Sequence, residues 1–132
     1  MGDVGRSLLA LGALNAALAV GLGAYGHHGV RPRVDAAAWL SFTTALDYHL
    51  LHALALALVG VFLLIRPASR WGKIAGGLLT AGVLLFCGSI YLKVLGDLPS
   101  LGSVTPLGGV CLMLGWGALA LAAFANSEAA SR

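Results

Sequence analysis

The sequence predicts an all-α integral membrane protein built on four transmembrane helices. Of its 132 residues, 59% are hydrophobic and only 10% charged, and the mean hydropathy is +0.92. That is more apolar surface than an ordinary soluble domain of this size can bury. The apolar residues fall into four runs, at about residues 7–25, 45–65, 73–95 and 105–125. Each is close to the roughly 20 residues that carry a helix across roughly 30 Å of hydrocarbon. Backbone polar groups in lipid have to be satisfied within the segment, so these runs read as helices, not barrel strands. The expected organisation is a single four-helix domain over residues 1–132.

The first run carries a row of small residues, Ala13, Ala17 and Gly21, spaced four apart. Small residues let helix backbones approach in lipid, so this row is expected to be a packing face. Ala17-Leu18-Ala19 has the small-residue pattern of a signal-peptide cleavage site. The length of the run, its weakly charged start and its unbroken Gly-rich continuation favour a retained span. His27, His28, Arg31, Pro32 and Arg33 then form the first connection, and Asp35 is placed to cap a helix restarting at Ala36. Trp39, Phe42 and Leu46 lie at helical spacing. This piece is therefore either a short interfacial helix or the outer end of one long second helix.

The second run ends at Arg66-Pro67, where proline resists continuation. Gly72 and Gly76 open the third run as a GxxxG pair, extended by Gly77 and Ala81. Thr105-Pro106 reads as a cap followed by proline in the first turn of the fourth. Residues 126–132 form a polar tail.

The net charge of +3 comes without a basic run or a stacking aromatic series, so nucleic acid is not an expected partner. Arg6, Arg66, Arg70, Lys73 and Arg132 fall on one side of the four spans, and Arg31, Arg33 and Lys93 on the other. The excess of basic residues expects both termini in the cytoplasm. Cys87 and Cys111 both lie inside spans and do not form the framework of a secreted disulfide protein.

Sorted by depth, the polar residues are lopsided. His27 and His28 end the first span; Asp47, His49 and His52 begin the second; Cys87, Ser89, Tyr91 and Lys93 finish the third; Thr105 and Cys111 begin the fourth. All of them fall in the half of the bundle away from the termini, and ionisable groups inside a span mark a candidate site. His49 and His52 share one helix face, and Tyr48 and His52 share another. Histidines at this depth have the chemistry to bind a metal or haem, relay protons or hydrogen-bond a quinone head. The plainer reading of His52 is an interhelical hydrogen bond. Cys87 and Cys111 have the depth to meet as a thiol pair or to join histidines around a soft metal, but packing is the preferred reading; Lys93 either pairs with Asp47 or, the preferred reading, extends to the headgroups. No established zinc, haem-attachment or nucleotide motif is present, no nucleophile, base and oxyanion-donor set can be assembled, and no cofactor is expected.

Four motifs carry a resemblance to a known family. Gly23-Ala24-Tyr25-Gly26-His27-His28-Gly29 resembles the GAFGAHG signature of the YgdD-like family of small bacterial inner-membrane proteins, whose animal relatives include transmembrane protein 256. The stretch from Tyr48 through His52 to Leu56 resembles that family's YxxxHALAL segment, and Leu85 to Leu92 its LFSGSLYL. Thr105-Pro106-Leu107-Gly108-Gly109 and Gly115-Trp116 resemble its TPIGG and GW elements. The resemblance covers nearly the whole chain and implies four helices in an inner membrane, but no reaction. By position, His28 and His52 fill the motif histidines. His27 stands where the pattern has alanine and Cys87 where it has serine, which weakens any metal site that needs either.

Two functions follow as expectations. The preferred one is a non-enzymatic helical bundle that self-associates or joins a larger membrane complex, held in register by a polar network of His28, His52, Ser89, Tyr91 and Thr105. His27, Asp47, His49, Cys87, Lys93 and Cys111 are weaker members of the same cluster. The alternative is a transport or redox component with His28 and His52 lining a path or holding haem, a metal or a quinone; a transporter this small would need several subunits.

Overall fold

The computed structural model describes residues 3–130, with side chains as far as residue 125. Arg132, counted above among the basic residues, lies outside the described residues. The described residues are mostly helical with no strand, and four segments are long and apolar enough to cross a membrane: Asp3–Arg33, Ala36–Ile65, Arg70–Leu95 and Pro99–Ala125.

The first segment is the α-helix α1 (Asp3–Tyr25), one π-helical turn over Gly26–Val30 and a 3-10 turn over Arg31–Arg33. It therefore runs past Tyr25, where the apolar run ends, and the His27-His28 pair is helical rather than a loop. α2 (Ala36–Ile65) is continuous over 30 residues. The Asp35 carboxylate caps it by accepting from the Ala38 N–H at 2.8 Å, and nothing interrupts the helix before Arg66. No separate interfacial helix exists between the first two spans; the segment from Ala36 is the outer end of α2.

Ser69 caps α3 (Arg70–Val83) by accepting from the Gly72 N–H at 3.1 Å, so this helix begins three residues before the expected Lys73. A second π-helical turn, Leu84–Gly88, joins α3 to α4 (Ser89–Leu95) without breaking the span. After a 3-10 turn over Pro99–Ser103, α5 (Thr105–Ala130) starts at Thr105 itself, and the backbone stays helical through five residues of the expected tail. Thr105 therefore lies inside the helix, and its hydroxyl serves a contact between helices rather than a cap.

Two helix pairs make the bundle, and small residues seven apart make each pair. On α1 and the turn after it, Gly5, Gly12, Ala19 and Gly26 are buried. A methyl group added to Gly12 would sit 2.5 Å from the Ala57 nitrogen and 2.6 Å from the Ala53 oxygen. One on Gly5 would sit 3.0 Å from the Gly60 oxygen, and one on Gly26 would meet the Phe42 ring. These contacts set α1 antiparallel to α2. On α5 the corresponding row is Gly108, Gly115 and Ala122. Gly108 lies against the Phe86 and Leu85 backbone, and Gly115 against Leu79. A repeat of seven keeps one seam facing its partner along a left-handed pair. The pairs meet in a core of Ala55, Leu56, Val59 and Leu63 from α2, Leu79 and Val83 from α3, and Leu112 from α5.

The expected packing row of Ala13, Ala17 and Gly21 is exposed instead. It lies off the seven-residue seam, so it turns away from α2. The GxxxG pair does pack: Gly72 lies against Phe62 and Leu63 and Gly76 against Leu8, whereas Gly77 faces open space.

Candidate functional site

α2 carries the two histidines that organise the interior, and both are 3% exposed. His49 lies between α1 and α4. Its Nδ1 is 3.0 Å from the Tyr91 hydroxyl and its Nε2 3.0 Å from the Asn15 Oδ1. The Asn15 Nδ2 donates to the Leu11 carbonyl at 2.9 Å, which leaves Oδ1 as the acceptor facing His49. The His49 Nε2–H must then donate to Asn15, and its Nδ1 must accept from Tyr91. The result is a directed chain of hydrogen bonds from Tyr91 to the backbone of α1.

His52 faces the other way, toward α5. The Trp116 indole N–H, which can only donate, reaches His52 Nε2 at 3.0 Å. The proton of His52 is thereby placed on Nδ1, which donates to the Tyr48 carbonyl at 2.7 Å. Tyr48 stacks on His52 with centroids 5.8 Å apart, and on Phe86 at 4.5 Å. A third link, 2.6 Å between the hydroxyls of Ser89 and Thr105, ties α4 to α5. Among the described residues no buried side-chain nitrogen or oxygen lacks a partner.

The π-helical turn at Leu84–Gly88 is what aims α4. A π turn inserts an extra residue into the helix and rotates everything beyond it. With that rotation Ser89 is buried against Thr105 and Tyr91 is turned onto His49.

The expected cluster is thus assembled differently. Ser89 with Thr105, and Tyr91 with a histidine, come together, but that histidine is His49 rather than His52. His28 is exposed, and no hydrogen bond links it to any described residue. Gly26 packs at Phe42, about 15 Å of helix above His52. His27 is also exposed; its Nδ1 is 2.9 Å from the Gly23 carbonyl and its ring meets Trp39 edge-on at 5.1 Å. Asp47 and Lys93 are both exposed and form no ion pair with each other. Cys87 is buried and Cys111 half-buried, and both are free thiols. Among the described residues no three His, Cys, Asp or Glu side chains converge to hold a metal ion.

Asn15 and Trp116 are members of this hydrogen-bond network that sequence reasoning missed. Asn15 carried a signal, as a polar amide in the middle of an otherwise apolar run. Trp116 was visible only as part of a motif.

Fold and site together define a four-span helical membrane protein whose helices are tied through two central histidines. The chain belongs to the family of proteins of unknown function DUF423, whose pattern it matches over residues 22–109. It is 39% identical over 120 residues to a UPF0382 membrane protein of Staphylococcus aureus (strain bovine RF122 / ET3-1), covering 90% of this chain and 96% of that one. It is 40% identical over 120 residues to the UPF0382 membrane protein YwdK of Bacillus subtilis (strain 168), covering 89% and 96%. A Staphylococcus epidermidis UPF0382 membrane protein is 38% identical over 117 residues, covering 89% and 94%. No solved structure is significantly similar to the chain. The protein is a small membrane protein of an uncharacterised family.

Proposed function

We propose that this chain is a non-enzymatic helical subunit that self-associates or joins a larger assembly in the bacterial inner membrane, with both termini cytoplasmic. The observation that carries this reading is the commitment of all four ring nitrogens of His49 and His52 to partners within the bundle. Side chains spent on one another hold helices in register and offer no free atom to a substrate. Self-association is supported by the outward row of Ala13, Ala17 and Gly21 on α1, because small residues on a lipid-exposed face permit close helix approach. The orientation is supported by Arg6, Arg66, Arg70 and Lys73 sharing the end of the bundle opposite Arg31, Arg33 and Lys93.

The transport or redox alternative built on His28 and His52 has less support, because those residues stand apart. The discriminating measurement is thermal denaturation of the His52→Ala variant in mild detergent. A structural histidine predicts a lower Tm, by about 1 kcal/mol of stability. An unchanged Tm together with visible absorption or a stoichiometric metal in the purified protein would overturn the proposal in favour of a cofactor site.

A further inference from the structure

The bundle end that holds Arg33 and Lys93 has an open cleft of about 590 Å³ between the start of α2 and the end of α4. That volume is in the range of small-ligand sites. Its lining contains two cations, Arg33 and Lys93, and two anions, Asp35 and Asp97. No ion pair joins any two of them. The four charges stand around a common space and sum to no net charge. Asp97 is held at φ 52°, and among the described residues no other non-glycine has positive φ. The chain thus keeps a carboxylate at the helix end where glycine is the usual residue. The rest of the lining is Val34, Ala37, Ala38, Ser41, Val94 and Pro99, so no aromatic ring faces the space.

We propose that this cleft binds the headgroup of a phospholipid that carries both a phosphate and a primary ammonium, a phosphatidylethanolamine. Arg33 and Lys93 supply donors for the phosphate. Asp97, with the free acceptor capacity of Asp35, receives the ammonium protons. A quaternary ammonium cannot donate hydrogen bonds and is recognised by aromatic cages, which this lining lacks. A purely anionic headgroup would leave both carboxylates facing negative charge. The lipid origin follows from position: the cleft lies where the spans ending at Arg33 and Leu95 reach their limit, at headgroup depth. The exposed Leu40, Leu92 and Leu95 adjoin its lining in sequence and provide an apolar flank for the acyl chains.

The test uses the full chain, delipidated in mild detergent, with Tm read on addition of dioleoyl phosphatidylethanolamine, phosphatidylglycerol, phosphatidylcholine or soluble glycerophosphoethanolamine. The expected result is a Tm several degrees higher with the ethanolamine lipid alone. Lys93→Gln and Asp97→Asn should each remove most of that shift while leaving the Tm in detergent unchanged. Asparagine tolerates the left-handed backbone, so the second variant removes charge without adding strain. An equal shift from the glycerol or choline lipid, or a full shift retained by both variants, would overturn the proposal. Reproduction of the shift by the soluble headgroup would overturn the assignment to a lipid.

Discussion

His49 is the residue on which the most elements converge, since one imidazole reaches α1 through Asn15 and α4 through Tyr91. Its replacement by alanine removes both links and leaves an amide oxygen and a phenol facing an apolar interior. Interhelical hydrogen bonds in membranes are each worth about 1 kcal/mol, and an orphaned buried polar group costs about 1–3 kcal/mol. His49→Ala should therefore lower stability by about 2 kcal/mol in a detergent thermal melt, more than Tyr91→Phe, which removes one link. Equal melting of wild type and His49→Ala would show the chain of bonds to be incidental. Family resemblance directs attention to His28 and His52, because those fill the motif positions. His49 stood only among the weaker candidates in the sequence, and geometry raises it above them because of what lies opposite it.

At the scale of the helix, two adjacent glycines on α5 differ sharply in what surrounds them. A methyl group on Gly108 would collide with the backbone of Leu85 and Phe86, the former at 2.7 Å. On Gly109 the nearest atom would be the Phe86 ring at 3.8 Å, an ordinary contact. Backbone cannot move aside as a side chain can, so Gly108→Ala should force α5 away from the Leu84–Gly88 turn at a cost of about 1–3 kcal/mol. Gly109→Ala should be neutral, or stabilising by up to about 1 kcal/mol from the helix preference of alanine. A pair of thermal melts distinguishes them, and equal effects would contradict the packing described here. The existence of these helices was legible in the apolar runs, and the Asp35 cap in the residue type before Ala36. The two π-helical turns were not: Gly26–Val30, with two glycines and two histidines, reads as a connection, and nothing in the apolar Leu84–Gly88 marks an inserted residue.

For the whole molecule, the antiparallel pairing of α1 with α2 and of α3 with α5 brings Arg6, Arg66, Arg70 and Lys73 to one end. The proposed orientation can be read directly from cysteine accessibility. With Cys87 and Cys111 replaced by serine, a cysteine at Ser100 should react with a membrane-impermeant maleimide in intact cells, and one at Ala68 only after lysis. The reverse pattern would invert the topology. The polar site spans the distal half of the bundle and extends to mid-depth, since Asn15 lies about 18 Å of helix from Asp3. Sequence depth alone located that half but stopped short of its inner members, Asn15 and Trp116.

Four helical crossings of a membrane, and the polar half of the bundle, are both written in the order of residues along the chain. Both follow from local chemistry, because backbone hydrogen bonding and side-chain transfer energies act along the chain without reference to a partner. Tertiary structure decided which small residues form the seams, choosing the seven-spaced rows over Ala13, Ala17 and Gly21. It also decided which polar residues meet, giving His49 to Tyr91 and Asn15, and His52 to Trp116. Those choices depend on how one helix rotates against another, and an inserted residue in a π turn or a glycine under a neighbouring backbone sets that rotation.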